Sequence, residues 1–552
     1  MNKLTSTIER SNIVQQLTNQ TYDILVIGGG ITGAGIALDA ASRGYKTALV
    51  EMQDFASGTS SRSSKMIHGG LRYLKNYEIK IVSEVGRERA IVYENGPHIT
   101  SPEKMILPIY KNADYGVFMT SIGLSAYDLL AGVKKEERKN MLKIPQLLAM
   151  EPKIKQQDLL GGGYFIEYRS DDARLTIEVM KEAIEKGATT LNYAKVSDLL
   201  YTNNKISGAN IFDEISGESF QIHAKKVINA CGPWIDQVQD KYEDNTITKL
   251  HLSKGVHLVF SQEDLPLNNS LYFDTPDGRM VLIIPRDGKT YVGTTDTNYQ
   301  GDIHNPSITH EDVDYLLRMM EYIFPHHPLS KEQIETAWAG IRPLIEQKGK
   351  SESSISRKNE IWTSPAGLIT IAGGKLTGYR KMAESIVNLV SKQLHNEFDY
   401  PLKPCLTRKL PVSGGHVGGS KHWGVYSARK QQSLVDLNIP TNRAQQLVKR
   451  YGSNIDILID FIKSAETDAQ KYNVPVDLYA EVLYSIQYEL TAKPVDFFVR
   501  RTSAMLFQHE WLQQWKAPVI TIMKDLLLWD EATCENYTAE LEQYIRIATT
   551  IE

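Results

Sequence analysis

Residues 23–33 read Asp-Ile-Leu-Val-Ile-Gly-Gly-Gly-Ile-Thr-Gly, an apolar run that enters a GxGxxG turn and leaves it in a helical pattern. No other feature narrows the fold as much, because a strand, a glycine turn and a helix in direct succession make the first half of a βαβ unit. Gly28 is expected to permit the tight turn, Gly30 to let a pyrophosphate approach bare backbone, and Gly33 to let helix and strand pack closely. Residues 34–42 continue the helical pattern, 47–50 supply a second strand, and Glu51 ends it where a carboxylate meets ribose hydroxyls. The open amides and dipole of the helix N-terminus hold an anion without a nearby lysine. The unit therefore reads as a site for the ADP part of a dinucleotide.

At 552 residues the chain exceeds what one hydrophobic core usually organises, so several domains are expected. A formal net charge of −4 gives no global attraction to polyanions, which argues against nucleic acid as the partner. Cys231, Cys405 and Cys534 are far apart and form no CxxC pair. Neither a disulfide framework nor a metal site is suggested, and a reducing compartment fits. Residues 1–20 carry no apolar core of a secretory signal, and no uninterrupted apolar stretch is long enough to span a bilayer. The nearest approach, 117–133, is broken by Thr120, Ser121, Ser125, Tyr127 and Asp128. It reads first as a core helix, with a surface segment dipping into a lipid interface as the alternative.

The pattern changes along the chain. Residues 1–97 open with the βαβ signal and are expected to form the first part of a nucleotide-binding domain. Between 98 and 357, strand-like runs at 280–284 and 290–292 alternate with helical ones at 175–186, which implies interwoven domains. Residues of about 175–240 are assigned to the nucleotide domain, as is its last part, 358–400. After that, 401–552 is mostly helical in periodicity. The join carries Ser413-Gly414-Gly415-His416-Val417-Gly418-Gly419-Ser420, read as a linker because no strand feeds it into a helix.

NAD and FAD both present an ADP moiety, and residues outside the first unit separate them. Asn229-Ala230-Cys231-Gly232-Pro233-Trp234 and Ala372-Gly373-Gly374-Lys375-Leu376-Thr377 each end a strand in a small-residue turn. The first allows close backbone approach to a dinucleotide, and the amides of the second can meet an isoalloxazine edge. No second strand–GxGxxG–helix unit follows, although a flavoenzyme reduced by NAD(P)H usually needs one. FAD reduced directly by an organic substrate is the expectation.

The run from Gly58 to Tyr73, GTSSRSSKMIHGGLRY, resembles the signature of FAD-dependent glycerol-3-phosphate dehydrogenases. The likeness continues in order through Asp171-Asp172-Ala173-Arg174-Leu175, the 229–234 turn, Lys254-Gly255-Val256-His257 and Gly293-Thr294-Thr295-Asp296. It runs on through Gly340-Ile341-Arg342-Pro343-Leu344, the 373–377 turn and Arg450-Tyr451-Gly452-Ser453-Asn454, so it covers nearly the whole chain. Cys231 departs from the family, which more often has Thr there; both are small.

The resemblance implies an α/β fold, in which a Rossmann-like FAD-binding domain is interleaved with a β-rich substrate domain and capped by a C-terminal α-helical domain. It implies flavin contacts at Thr32, Thr59, Ser60, Ser61, Ala230, Gly232, Trp234, Gly374, Lys375, Leu376 and Thr377, besides the glycines and Glu51. Arg72, Arg342 and Lys375 occupy the positions expected to surround a phosphorylated substrate, with Tyr73 and Arg357 near the same pocket. Arginine suits a phosphate dianion because its planar fork contacts two oxygens at once. Oxidising the secondary alcohol of glycerol 3-phosphate needs a base for the hydroxyl proton, and His68 and His257 are the candidates. Arg342 is the candidate for stabilising the developing alkoxide. Family dehydrogenases reduce quinone at the membrane surface while the related oxidases use oxygen and carry an insertion not seen here. A quinone acceptor and a peripheral place on the inner face of the cell membrane, on the cytoplasmic side, are expected. The helical zone is expected either to cap the active-site domains or to support a homodimer.

Overall fold

The computed structural model describes residues 5–69, 79–111, 116–131, 133, 137–239, 250–345 and 359–551, and every structural statement below refers to these. Its chain alternates between two sheets. The first has the parallel order Thr189–Leu191, Thr47–Val50, Thr21–Ile27, Ser219–Asn229, Leu368–Ala372, with Glu360–Thr363 antiparallel at the edge. Strand Thr21–Ile27 is buried at every position after its first, as a parallel strand covered on both faces should be. Helix Ile31–Ser42 packs between Asp172–Glu185 and Tyr379–Phe398 over this sheet. In register, Ile27 lies beside both Val50 and Asn229. The carboxyl ends of three strands therefore release Gly28, Glu51 and Ala230 into one crevice, where ligands of open α/β sheets bind.

The second sheet is mainly antiparallel and runs Thr297–Asn298, Leu250–Ser261, Lys289–Gly293, Met280–Arg286, Ser270–Asp274, Thr100–Tyr110, Leu159–Ser170, Met66–Ile67. Ile334–Ile345 adds alongside Leu250–Ser261 through a long antiparallel ladder. The described strands within 66–170 and 250–345 thus belong to this sheet, and those within 21–50, 189–229 and 360–372 to the first. This is the expected interleaving. Met66–Ile67 joins the second sheet well before residue 97. The glycines at 161–163 lie inside strand Leu159–Ser170, where a side chain on Gly163 would reach within 2.6 Å of Leu124.

From Ser420 onward the chain is helical, in agreement with its periodicity. Residues 496–507 are not one helix: a π-helical turn Asp496–Arg501 and a short helix Ala504–Phe507 are separated by Ser503 at φ 55°. That break aims Arg500 and Arg501 at Asp54, three residues past Glu51. Burial opposes the charge on Asp54, but the two guanidinium groups outweigh it and hold the carboxyl at about 2. The helical domain is thereby clamped to the back of the nucleotide crevice.

Helix Val117–Ala131 buries Leu124 and Tyr127 against the second sheet, where the Tyr127 hydroxyl donates to Glu167. Its other face presents Phe118 (76% exposed), Leu129 (83% exposed), Met119 and Ile122. The segment is therefore a surface helix with an exposed apolar face and not the core helix of the first sequence reading. Among the described residues no helix is long and apolar enough to cross a membrane.

Candidate active site

One cavity of about 490 Å³ lies between the two sheets. It falls within the roughly 300–1,000 Å³ usual for cofactor and ligand sites. At its nucleotide end Gly28 has φ 112°, and a Cβ there would lie 2.6 Å from the Ala230 carbonyl oxygen. Gly33 is tighter still, because its Cβ would come within 1.8 Å of the Gly28 oxygen. The helix begins at Gly30, and Gly30, Ile31 and Thr32 all line the cavity. The Ile31 amide donates to Ser60 Oγ at 2.9 Å, which brings the 58–61 turn over the helix N-terminus.

Glu51 faces the same end. Its carboxylate accepts from the amides of Gly29 (2.6 Å) and Gln53 (2.9 Å). Burial raises its pKa, and those two donors oppose the rise. Ala194, Lys195 and Val196 close this end from strand Ala194–Thr202. Opposite, Ala230, Gly232 and Trp234 line the wall, and Trp234 Nε1 donates to His304 Nε2 at 3.2 Å. A cradle in which Gly28 and Gly33 have no room for Cβ atoms, a helix N-terminus opening on it and a carboxylate one strand away together fit the ADP half of FAD.

The far end is assembled from side chains. Arg342 stands on Ile334–Ile345 opposite Ser253, and its guanidinium lies over Gly255, where a Cβ would be 2.2 Å from Nη2. It donates to Thr294 Oγ1 at 2.8 Å, to the Thr295 carbonyl at 3.3 Å and to the Asp296 carboxylate at 3.3 Å. These partners fix the fork while leaving it against the cavity.

His257, on the neighbouring strand, is buried with its ring stacked 4.5 Å from Trp338. Gly293 makes room for it, since a Cβ there would fall 2.1 Å from the imidazole. His257 Nε2 is 2.8 Å from Ser64 Oγ. Burial, then the charges of Arg342 and Lys65, lower its pKa well below that of free histidine, so the ring is neutral at neutral pH. A neutral imidazole beside a fixed cation can take a proton from a hydroxyl group.

His68, Gly374, Lys375, Leu376 and Thr377 line the same end. The His68 amide donates to Thr377 Oγ1 at 3.1 Å, which pins the two segments together. Gly373 and Gly374 both have positive φ, and a Cβ on Gly374 would meet Met382 sulfur at 2.2 Å.

Of the residues singled out in the sequence, Gly28, Gly30, Thr32, Glu51, Thr59, Ser60, His68, Ala230, Gly232, Trp234, His257, Arg342, Gly374, Lys375, Leu376 and Thr377 all line this cavity. Gly33 sits behind it as a packing glycine. Ser61 is buried beside it, its hydroxyl 3.5 Å from the Gly58 carbonyl. Arg72, Tyr73 and Arg357 lie outside the described residues. Ser64 and the anchors Thr294 and Asp296 were not singled out for a role. All three stood in quoted motifs, and only the pairing of distant strands gives them partners.

Residues 23–380 match the family model described as FAD dependent oxidoreductase, and 405–534 match the one described as the C-terminal domain of alpha-glycerophosphate oxidase. The chain is 52% identical over 548 residues to an aerobic glycerol-3-phosphate dehydrogenase of Bacillus subtilis, covering 99% of both chains. A Staphylococcus aureus protein of the same description is also 52% identical, with 98% of each chain covered. Among solved structures, the glycerol-3-phosphate dehydrogenase from Bacillus halodurans complexed with FAD superposes with a TM-score of 0.86 at 41% identity, over 99% of both chains. The L-alpha-glycerophosphate oxidase of Mycoplasma pneumoniae shares the fold, with a TM-score of 0.54 at 18% identity over 71% of this chain and 98% of that one.

Proposed function

Because this chain belongs to the family of FAD-dependent glycerol-3-phosphate dehydrogenases, we propose that it oxidises sn-glycerol 3-phosphate to dihydroxyacetone phosphate and passes the electrons to a membrane quinone. The observation that carries this reading is the meeting of a neutral His257 and an anchored Arg342 in the cavity that holds the dinucleotide cradle. Bound FAD would supply the two-electron acceptor for a hydride leaving the secondary carbon of the substrate.

The chain's own residues do the rest. Backbone at Gly30 and Thr32 receives the pyrophosphate, with the Ile31 amide held by Ser60, and Glu51 receives the ribose. Arg342 offers its positive charge to the alcohol oxygen as negative charge grows there. His257 takes the hydroxyl proton at Nε2, replacing its contact with Ser64; His68 is the second candidate for that step. Lys375, with Arg72 and Arg357, provides cations for the phosphate dianion, and Tyr73 offers it a hydroxyl donor.

The uncovered apolar face of Val117–Ala131 supports a peripheral place on the lipid interface, where a quinone would be met. Anaerobic titration of the holoenzyme with glycerol 3-phosphate should bleach the flavin, and a quinone should restore its colour. A flavin left oxidised by substrate would defeat the proposal. Stoichiometric peroxide in air would replace quinone by oxygen as the acceptor.

A further inference from the structure

A second cavity, of about 90 Å³, lies where the second sheet meets the C-terminal helices. It holds space for several waters or one tetrahedral oxyanion. Arg169 and Arg286 reach it from the strands Leu159–Ser170 and Met280–Arg286, and Lys449 and Arg450 from the last turn of helix Thr441–Tyr451. His98, Arg174, Ser101 and Ser503 are among the other lining residues, with Asp171 and Asp287.

Most of these charges are answered locally. Arg174 pairs with Glu178 and Glu489, Arg450 with Glu481, and Arg169 with Glu103. Arg286 gives Nη2 to Asp171 (3.0 Å) and Nε to Asp287 (3.2 Å), but its Nη1 is buried without a hydrogen-bond partner. Neither ring nitrogen of His98 has a partner either, although the residue is only 1% exposed. Lys449 makes no hydrogen bond or ion pair with a described residue. Burial, then the repulsion of Arg169 and Arg286, lowers its pKa to about 8, with Asp287 and Glu103 pulling the other way. His98 stays neutral, through burial and then the charges of Arg174, Lys181 and His416.

A basic last turn ordinarily compensates a helix C-terminus, which accounts for Lys449 and Arg450 standing there. It does not account for two buried groups on different elements, Arg286 Nη1 and the His98 ring, lacking partners among the described residues beside a partly exposed Lys449, since buried polar groups are as a rule paired.

We propose that this cavity binds a phosphate-class oxyanion, inorganic phosphate or a phosphate monoester, which Lys449, Arg286 and His98 share and which ties the C-terminal helices to the second sheet. Such a ligand binds only the folded protein and so stabilises it by mass action.

The test is thermal unfolding of the FAD-loaded protein in sulfate or inorganic phosphate against chloride at equal ionic strength. Sulfate keeps one charge state throughout, so its effect follows the protein's titration alone. A saturable rise in Tm is expected, kept by Arg342→Ala, whose substrate site is impaired, and lost by Lys449→Gln, which still reduces flavin with glycerol 3-phosphate. Should Lys449→Gln fail to fold, Lys449→Arg carries the test. Sulfate affinity of the natural protein should fall about tenfold per pH unit above pH 8, while that of Lys449→Arg holds. Displacement of sulfate by inorganic phosphate alone assigns the site to the free ion; displacement by a monoester too extends it to metabolites. The proposal is overturned by no rise over chloride, by a rise that Lys449→Gln keeps in full, by a rise that Arg342→Ala removes, or by parallel pH profiles.

Discussion

The two ends of the main cavity are built by opposite means. At the nucleotide end the chain works by omission, since Gly28, Gly30 and Gly33 carry no side chains and the binding groups are amides and a helix dipole. At the reacting end it works by side chains, with Ser64, His257, Asp296, Arg342 and Lys375 brought from separate stretches of sequence. A backbone cradle fails when anything is added to it. A constellation of side chains fails by degrees as parts are removed. Substitutions at the first end should therefore change whether flavin is held, and at the second how fast it is reduced.

The sharpest break in that contrast is Gly33→Ala. Its Cβ would lie 1.8 Å from the Gly28 oxygen, so helix and strand must separate. Protein purified without flavin colour is expected, with activity lost; a yellow, active variant would remove the argument for the cradle. Next comes Arg342→Ala, where flavin should stay bound while kcat/KM falls on the order of 10²–10³, the usual cost of one donor to a developing oxyanion. His257→Gln should follow at about 10²-fold, near the lower limit for a general base.

His257 also predicts a pH profile. Its folded pKa lies below that of free histidine, so the proton-accepting form is complete at neutral pH and is lost only as pH falls through the lowered value. An acid limb of kcat/KM beginning near the free-histidine pKa, or one unchanged in His257→Gln, would move the base elsewhere, with His68 the next to replace.

The same contrast explains what was legible in the sequence. The cradle of the nucleotide end occupies one continuous stretch, 23–51, in which strand, turn, helix, strand and acid follow each other at fixed distances, so spacing alone described that part of it. The antiparallel sheet has no such local rule. That Ser253 faces Arg342, or that Gly293 faces His257, is a fact of register between strands far apart in the chain. Ser64 and Asp296 stood in recognisable motifs, yet their partners became visible only with that register. The apolar helix Val117–Ala131 was ambiguous for a related reason. Composition gives the number of apolar residues, and only packing tells that Leu124 turns inward while Phe118 and Leu129 face out.

The smallest predicted effect is the most specific to the reacting end. Ser64 Oγ stands 2.8 Å from His257 Nε2, and His257 Nδ1 is buried without a hydrogen-bond partner. Ser64 therefore holds Nε2 turned toward the cavity that both residues line, until the substrate hydroxyl replaces it. Removing a hydrogen bond of this kind costs about 0.5–1.5 kcal/mol, which corresponds to roughly two- to twelvefold in rate. Ser64→Ala should lower kcat/KM by that factor with flavin content unchanged. The loss should largely vanish in a His257→Gln background, because Ser64 acts through the imidazole. Additive losses in the double variant would mean that Ser64 touches the substrate on its own account. Loss of flavin from Ser64→Ala would mean that the two ends of the cavity are not separable in the way their construction implies.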